Sequence, residues 1–204
     1  MTSLKTNKKL IFESGKQGQR VLIVGQSGSG KSTHARILAA TQSNIHFLVI
    51  DFKDDKDEIA THFFKLAQRV ACTYDVQKIF SLITQYSIVI FTPPVDFSDD
   101  DLNNFLLDWY YRVRNCGLLF DEAMLLPNSL GIKTLMSRGR SKGLSVIACT
   151  QRPVMIPTVC RSESNIVFIH KLRLPEDVKV ISDLTGYSKQ TIKDLNGYDY
   201  LTLE

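Results

Sequence analysis

Two clusters of residues in this sequence have the types and the spacing to handle a polyphosphate. The first is Gly25-Gln26-Ser27-Gly28-Ser29-Gly30-Lys31-Ser32-Thr33, which satisfies the pattern G-x-x-x-x-G-K-[ST]. Its glycines permit a backbone tight enough for successive N–H groups to face an anion. Lys31 would reach the β and γ phosphates, and the Ser32 hydroxyl would serve a Mg2+ ion. The second cluster is Asp121-Glu122, at the end of the apolar run Gly117-Leu118-Leu119-Phe120. A carboxylate there can hold Mg2+ through its water shell, and a neighbouring one can orient and deprotonate an attacking water. An acid pair after an apolar strand is common by itself. The phosphate loop upstream supplies it with a substrate.

Two further segments bear on the same chemistry. In Leu144 to Pro153 the polar pair Thr150-Gln151 closes an apolar run, the place where open α/β sheets bind ligands. Gln151 there either hydrogen-bonds the γ phosphate or the water, or simply caps a loop. Upstream, Ser137 to Gly143 crowds Arg138, Arg140 and Lys142 around glycines. An arginine presented to a neighbouring subunit's γ phosphate stabilises transition-state charge. A contact to DNA phosphates or a solvated basic loop accounts for Arg138 and Arg140 nearly as well.

These residues need a scaffold, and the apolar patterning provides one. Val21 to Val24, Phe47 to Ile50, Ile88 to Phe91, Leu118 to Phe120, Val146 to Cys149 and Ile166 to Ile169 are short runs rich in Val, Ile and Phe, as expected of strands covered on both faces. Between them lie stretches of helical period. Ile59, Phe63, Leu66 and Val70 form one stripe. Leu102, Phe105, Leu106, Trp109 and Val113 form another, opening at Ser98 with Asp101 three residues on. Trp109 lies on that stripe, so core packing is favoured over stacking on bases. Strand and helix in alternation predict an α/β fold, a largely parallel sheet with helices on both faces. We expect one domain over 1–204, with a core of about 20–174. Residues 175–204 should add two short helices, near Glu176 to Leu184 and Ser188 to Leu195, and an edge strand over Tyr198 to Leu203.

Composition narrows the class. The chain has 204 residues, 44% of them hydrophobic and 23% charged, an ordinary globular mix. Cys72, Cys116, Cys149 and Cys160 are scattered without a Cys-x-x-Cys pair, which argues against a zinc site or a secreted disulfide scaffold. The polar start MTSLKTNKK lacks the apolar stretch of a secretory signal, and no apolar run approaches the length of a membrane span, so a soluble, intracellular protein is expected. Four dispersed histidines, His34, His46, His62 and His170, form no metal cluster in the sequence. The net charge of +4 hides an asymmetry: between Met124 and Leu174 eight basic residues face the single acid Glu163. That half can meet a polyanion, or can simply be a solvated basic surface.

Taken together, RVLIVGQSGSGKS, the second strand with Asp51 and Lys53, LLFDEA and SRGRSKGLSVIACTQRP resemble the FtsK and HerA superfamily of P-loop ATPases. Order and spacing agree over roughly Arg20 to Leu174. The likeness is greatest to the viral genome-packaging branch, in tailless icosahedral viruses with internal membranes such as the turreted archaeal viruses. The resemblance implies a RecA/ASCE-like P-loop fold and an ATP- and Mg2+-dependent motor that packages double-stranded DNA. It implies a homo-oligomeric ring, hexameric by expectation, in the host-cell cytoplasm and docking on capsid or membrane vertex proteins. It assigns the nucleotide loop to Gly25 to Thr33, the metal acid to Asp121, the water-activating acid to Glu122 and the sensor to Gln151, and leaves the trans arginine between Arg138 and Arg140. It also implies that the sensor strand lies between the phosphate-loop strand and the acid-pair strand.

Two other readings compete. A small-molecule kinase shares the phosphate loop, but needs an arginine-rich lid and an acceptor-binding Asp-Arg element, whereas this chain offers Asp-Glu and then Thr-Gln. A nucleotide-gated DNA-binding assembly factor needs only ATP binding; an intact Glu122 speaks against it.

Overall fold

The computed structural model describes residues 18–42, 45–66 and 68–203. The N-terminal run read above for a signal lies outside them. The elements follow in chain order as β1 Arg20–Val24, α1 Lys31–Ala40, β2 His46–Ile50, α2 Lys56–Lys65, β3 Val70–Thr73, α3 Ile79–Leu82, β4 Ile88–Phe91, α4 Asp99–Arg112 and β5 Cys116–Phe120. They continue as α5 Leu130–Arg138, β6 Ser145–Thr150, α6 Thr158–Ser162, β7 Ile166–His170, α7 Pro175–Thr185, α8 Lys189–Lys193 and β8 Tyr200–Leu203. Among the described residues no helix is long and apolar enough to cross a membrane.

All eight strands join one sheet in the order β3-β4-β2-β5-β6-β1-β7-β8. Each neighbouring pair is parallel except β7 with β8. β6 thus separates β1 from β5, the arrangement that the resemblance implied. Alternation along each strand sends successive side chains to opposite faces. Val21, Ile23, Phe47, Val49, Leu119, Ile147 and Cys149 pack with Ala35, Leu38 and Ala39 of α1 and Ile59 and Phe63 of α2. Their neighbours Leu22, Val24, Leu48, Ile50, Leu118, Phe120, Val146 and Ala148 pack with α4, α5 and α7 on the other face. Both faces are covered, which is why these strands are apolar throughout.

Local signals set several boundaries. The Ser98 hydroxyl accepts from the Asp101 N–H, and Asp101 accepts from the Ser98 N–H, so a full capping box opens α4. Trp109 is wholly buried beside Phe80 and Phe105 and has no free face for a base. Pro175 stands at the start of α7 and Gly186 ends it with φ 76°. The stripe Ile59, Phe63, Leu66 and Val70 does not form one helix: α2 stops at Lys65, and Val70 opens β3. An apolar residue at helical spacing also fits an edge strand four residues long, and periodicity cannot separate the two. At the sheet edge β8 spans Tyr200–Leu203, without Tyr198 and Asp199, and runs antiparallel to β7, with His170 opposite Tyr200 and Val167 opposite Leu203.

Gly117 on β5 stands opposite Phe47 on β2, and a Cβ there would fall 2.1 Å from the Phe47 ring, which is fully buried. Gly117→Ala is therefore expected to cost about 1–3 kcal/mol through overpacking. Denaturant unfolding would read this as a lower midpoint at unchanged slope; an unchanged midpoint would mean that the ring has room to turn.

Candidate functional site

β1 ends at Val24, and Gly25 then donates its N–H to the Thr150 carbonyl at 3.1 Å, so the loop leaves the sheet level with the end of β6. Gln26 donates to the Lys171 carbonyl at 2.9 Å, anchoring the loop to the chain after β7. Gly28 and Gly30 hold φ of 74° and 85°, a left-handed backbone that L-residues with side chains rarely adopt. α1 begins immediately after Gly30, at Lys31, and Gly30 makes no side-chain cap. The free N–H groups of the first helical turn therefore face the loop, with the positive end of the helix dipole behind them. Ser27, Gly28 and Thr33 are exposed, while Lys31 is only 5% exposed. The Ser29 hydroxyl and the Gln26 side-chain oxygen are buried without a partner.

The acid pair follows β5 in the same plane. Asp121 accepts from Arg36 of α1 at 3.1 Å, and Arg36 also bonds Glu58 of α2 at 3.1 Å. The other Asp121 oxygen, Oδ1, is buried with no partner. Glu122 is 3% exposed, and its Oε1 accepts from the Gln151 amide at 3.0 Å and from the Lys53 ammonium. Glu122 Oε2 is buried and unpartnered. Burial works against the Lys53 ammonium, but the hydrogen bond and charge of Glu122, with Asp121 and Asp55 nearby, outweigh it and raise the Lys53 pKa above its ordinary value. Asp51 supports Lys53 by accepting its backbone N–H at 3.0 Å and the Thr92 hydroxyl at 3.2 Å. Burial raises the Asp51 pKa, against those two hydrogen bonds.

The fold thus gathers Gly25, Gln26, Ser27, Gly28, Ser29, Gly30, Lys31, Ser32, Thr33, Asp121, Glu122 and Gln151 along one edge of the sheet, at the carboxyl ends of β1, β5 and β6. Hard oxygen donors, the Ser32 hydroxyl and the orphaned Asp121 Oδ1, suit a Mg2+ ion that keeps several waters. Arg138 and Arg140 lie elsewhere. They precede β6, at its amino end, on the sheet edge away from the phosphate loop. Both are exposed, and Arg140 contacts the Glu163 carbonyl at 3.2 Å. Within one chain they do not join the site.

The basic half is less free than its charge suggests. Arg152 pairs with Asp177 at 2.8 Å, and Arg161 donates to the carbonyls of Val154 and Ile156, each at 3.2 Å. Lys142 sits 3.8 Å over the Tyr110 ring. Lys133, Arg138, Arg140 and Arg173 remain at the surface.

Sequence reading missed two site residues. Arg36 was legible only as a charge among the apolar residues of α1, and Lys53 only as part of a family motif without a role. Both act through contacts across the sheet order, which spacing does not reveal.

No protein-family model matches the chain. Over 158 residues it is 28% identical to the DNA packaging ATPase P9 of Enterobacteria phage PRD1, covering 76% of this chain and 64% of that protein. The chain thus spans a little under two thirds of the length of this curated relative. In fold it is similar to the genome packaging NTPase B204 of Sulfolobus turreted icosahedral virus 2 in complex with sulfate, with a TM-score of 0.69 at 18% identity over 91% of this chain and 90% of that one. The DNA-packaging ATPase B204 of Sulfolobus Turreted Icosahedral Virus gives 0.66 at 19% identity, over 92% of both chains. ATPases 2 and 3 of EssC from Geobacillus thermodenitrificans give 0.60 at 12% identity, over 92% of this chain and 37% of that one. The chain therefore has the fold of the P-loop packaging ATPases, and its sequence is similar to that of one of them.

Proposed function

We propose that this chain is an ATP-hydrolysing motor that moves double-stranded DNA into a viral capsid, working as a homo-oligomeric ring. The observation that carries the reading is the convergence of Lys31, Asp121, Glu122 and Gln151 at one sheet edge. The sequence similarity to a DNA packaging ATPase gives that site its task.

The residues divide the work as follows. Backbone N–H groups from Gly25 to Thr33 cradle the phosphates, and Lys31 neutralises charge on the β and γ oxygens. Ser32 and Asp121 hold Mg2+, which screens phosphate charge when bound. Glu122 takes a proton from water as the water oxygen bonds to the γ phosphorus and the bond to the β–γ bridging oxygen breaks, releasing ADP. In this structure Lys53 occupies Glu122 Oε1, so the carboxylate must leave Lys53 before it acts as a base. Gln151 touches that same oxygen and lies at the end of β6, beside the phosphate loop, which suits it to relay the state of the γ phosphate to Glu122.

The ring enters through Arg138 and Arg140. Their place on the opposite edge means that any service at a γ phosphate is given to a neighbouring subunit. One domain of this size cannot encircle a duplex, so the motor needs several copies, seated on a capsid or membrane vertex protein in the host cytoplasm.

The defining measurement is ATP turnover with and without double-stranded DNA, alongside a panel of small-molecule phosphate acceptors. Stimulation by DNA with no phosphorylated acceptor is expected; a phosphorylated acceptor would make the protein a kinase. Lys31→Ala should abolish turnover, and a wild-type rate would remove the phosphate loop from the mechanism. Glu122→Gln is expected to keep ATP binding, read by calorimetry, while turnover falls about 100-fold or more. An unchanged rate would exclude Glu122 as the base. Arg138→Ala or Arg140→Ala should lose most activity alone and regain part of it when mixed with Lys31→Ala subunits; mixtures that never recover would rule out a residue supplied in trans.

A further inference from the structure

The chain between α8 and β8 passes against the phosphate loop, with Tyr198 just before β8 and Tyr200 as its first residue. The Tyr198 ring lies against Gly30: a Cβ on that glycine would be 2.6 Å from the Tyr198 Cδ1 and 3.2 Å from its Cε1. Yet Tyr198 is 77% exposed, so most of the ring faces solvent. Tyr200, two residues on, packs over His34 at 4.7 Å between centroids and near His170 at 5.6 Å, and keeps 38% of its surface open. His34 is in the first turn of α1, three residues after Lys31. Two aromatic rings therefore border the start of the helix whose N-terminus faces the phosphate loop.

The surroundings of these rings differ from the phosphate cradle. His34 and His170 meet at 3.1 Å between Nδ1 and Nε2. With Tyr198 and Tyr200 they form a patch of aromatic rings beside the start of α1. Such a surface suits a heteroaromatic ring. A large aromatic left mostly in water also gains from being covered by a flat partner.

We propose that Tyr198 is the stacking platform for the base of the nucleotide whose phosphates bind at Gly25 to Thr33. The inference rests on the phosphate-loop reading above and deepens it, naming where the base goes and how it is held. Stacking reads the face of a base and not its hydrogen-bonding edge, and every base has such a face. The chain is thus expected to accept ATP and GTP with similar affinity, through a contact that a bare polyphosphate does not make.

Calorimetric titration of the full chain with ATP, GTP and inorganic tripolyphosphate tests this. Tyr198→Ala should weaken ATP and GTP binding about tenfold or more and leave tripolyphosphate binding unchanged. Tyr198→Phe should bind all three like wild type. Unchanged ATP affinity in Tyr198→Ala would overturn the proposal. So would an equal loss for tripolyphosphate, since the ring would then merely support the loop at Gly30. Wild-type protein that binds none of the three would overturn the phosphate-loop reading and this inference with it, an outcome distinct from the other two.

Discussion

The parallel pairing of β6 between β1 and β5 is the constraint on which the candidate site depends. Because the three strands run the same way, the loops that follow them emerge on one edge, and the sheet spacing of about 4.8 Å sets how far apart they start. The hydrogen bond from Gly25 to the Thr150 carbonyl locks the phosphate loop to the residue before Gln151. Gln151 in turn reaches Glu122 from the next strand over. An antiparallel β6, or one at the sheet margin, would send Gln151 to the other edge or leave a strand-wide gap between phosphate and base.

Electrostatics then decides how the two carboxylates rest. Neither is left as an isolated buried charge, which would be costly. Asp121 is tied to Arg36 of α1, the helix that follows the phosphate loop, and Glu122 to Lys53, which follows β2, the strand beside β5. α1 carries both Lys31 and Arg36, so one helix joins the phosphate loop to the partner of Asp121. Asp121 Oδ1 and Glu122 Oε2 are left as buried acceptors without a partner.

The segment after β7 also belongs to the site. Asp177 of α7 receives Arg152 and the Val154 N–H, fixing the turn that follows Gln151. The Lys171 carbonyl receives Gln26, and the chain beyond α8 lays Tyr198 on Gly30. Part of what composition presents as a basic half and a short tail thus braces the phosphate loop, while Lys133, Arg138, Arg140 and Arg173 stay at the surface.

The phosphate loop, the acid pair and the strand-and-helix alternation were legible in the residues, because their signals are local. A glycine needed at positive φ, a lysine at a helix start, a carboxylate ending an apolar run and a capping box at Ser98 each act within a few residues of chain. β3 was not legible, because four residues at an edge carry too little pattern to be told from a fading helix. Lys53 and Arg36 were not legible as site residues, since pairing a carboxylate across the sheet depends on which strand lies beside which. The place of β6 between β1 and β5 was implied only by the family resemblance, and the full order of the strands, the removal of Arg138 and Arg140 to the far edge and the meeting of Tyr198 with Gly30 were decided by tertiary structure. Each is a contact between segments distant in sequence, fixed by burying two apolar sheet faces at once, and no local rule specifies it.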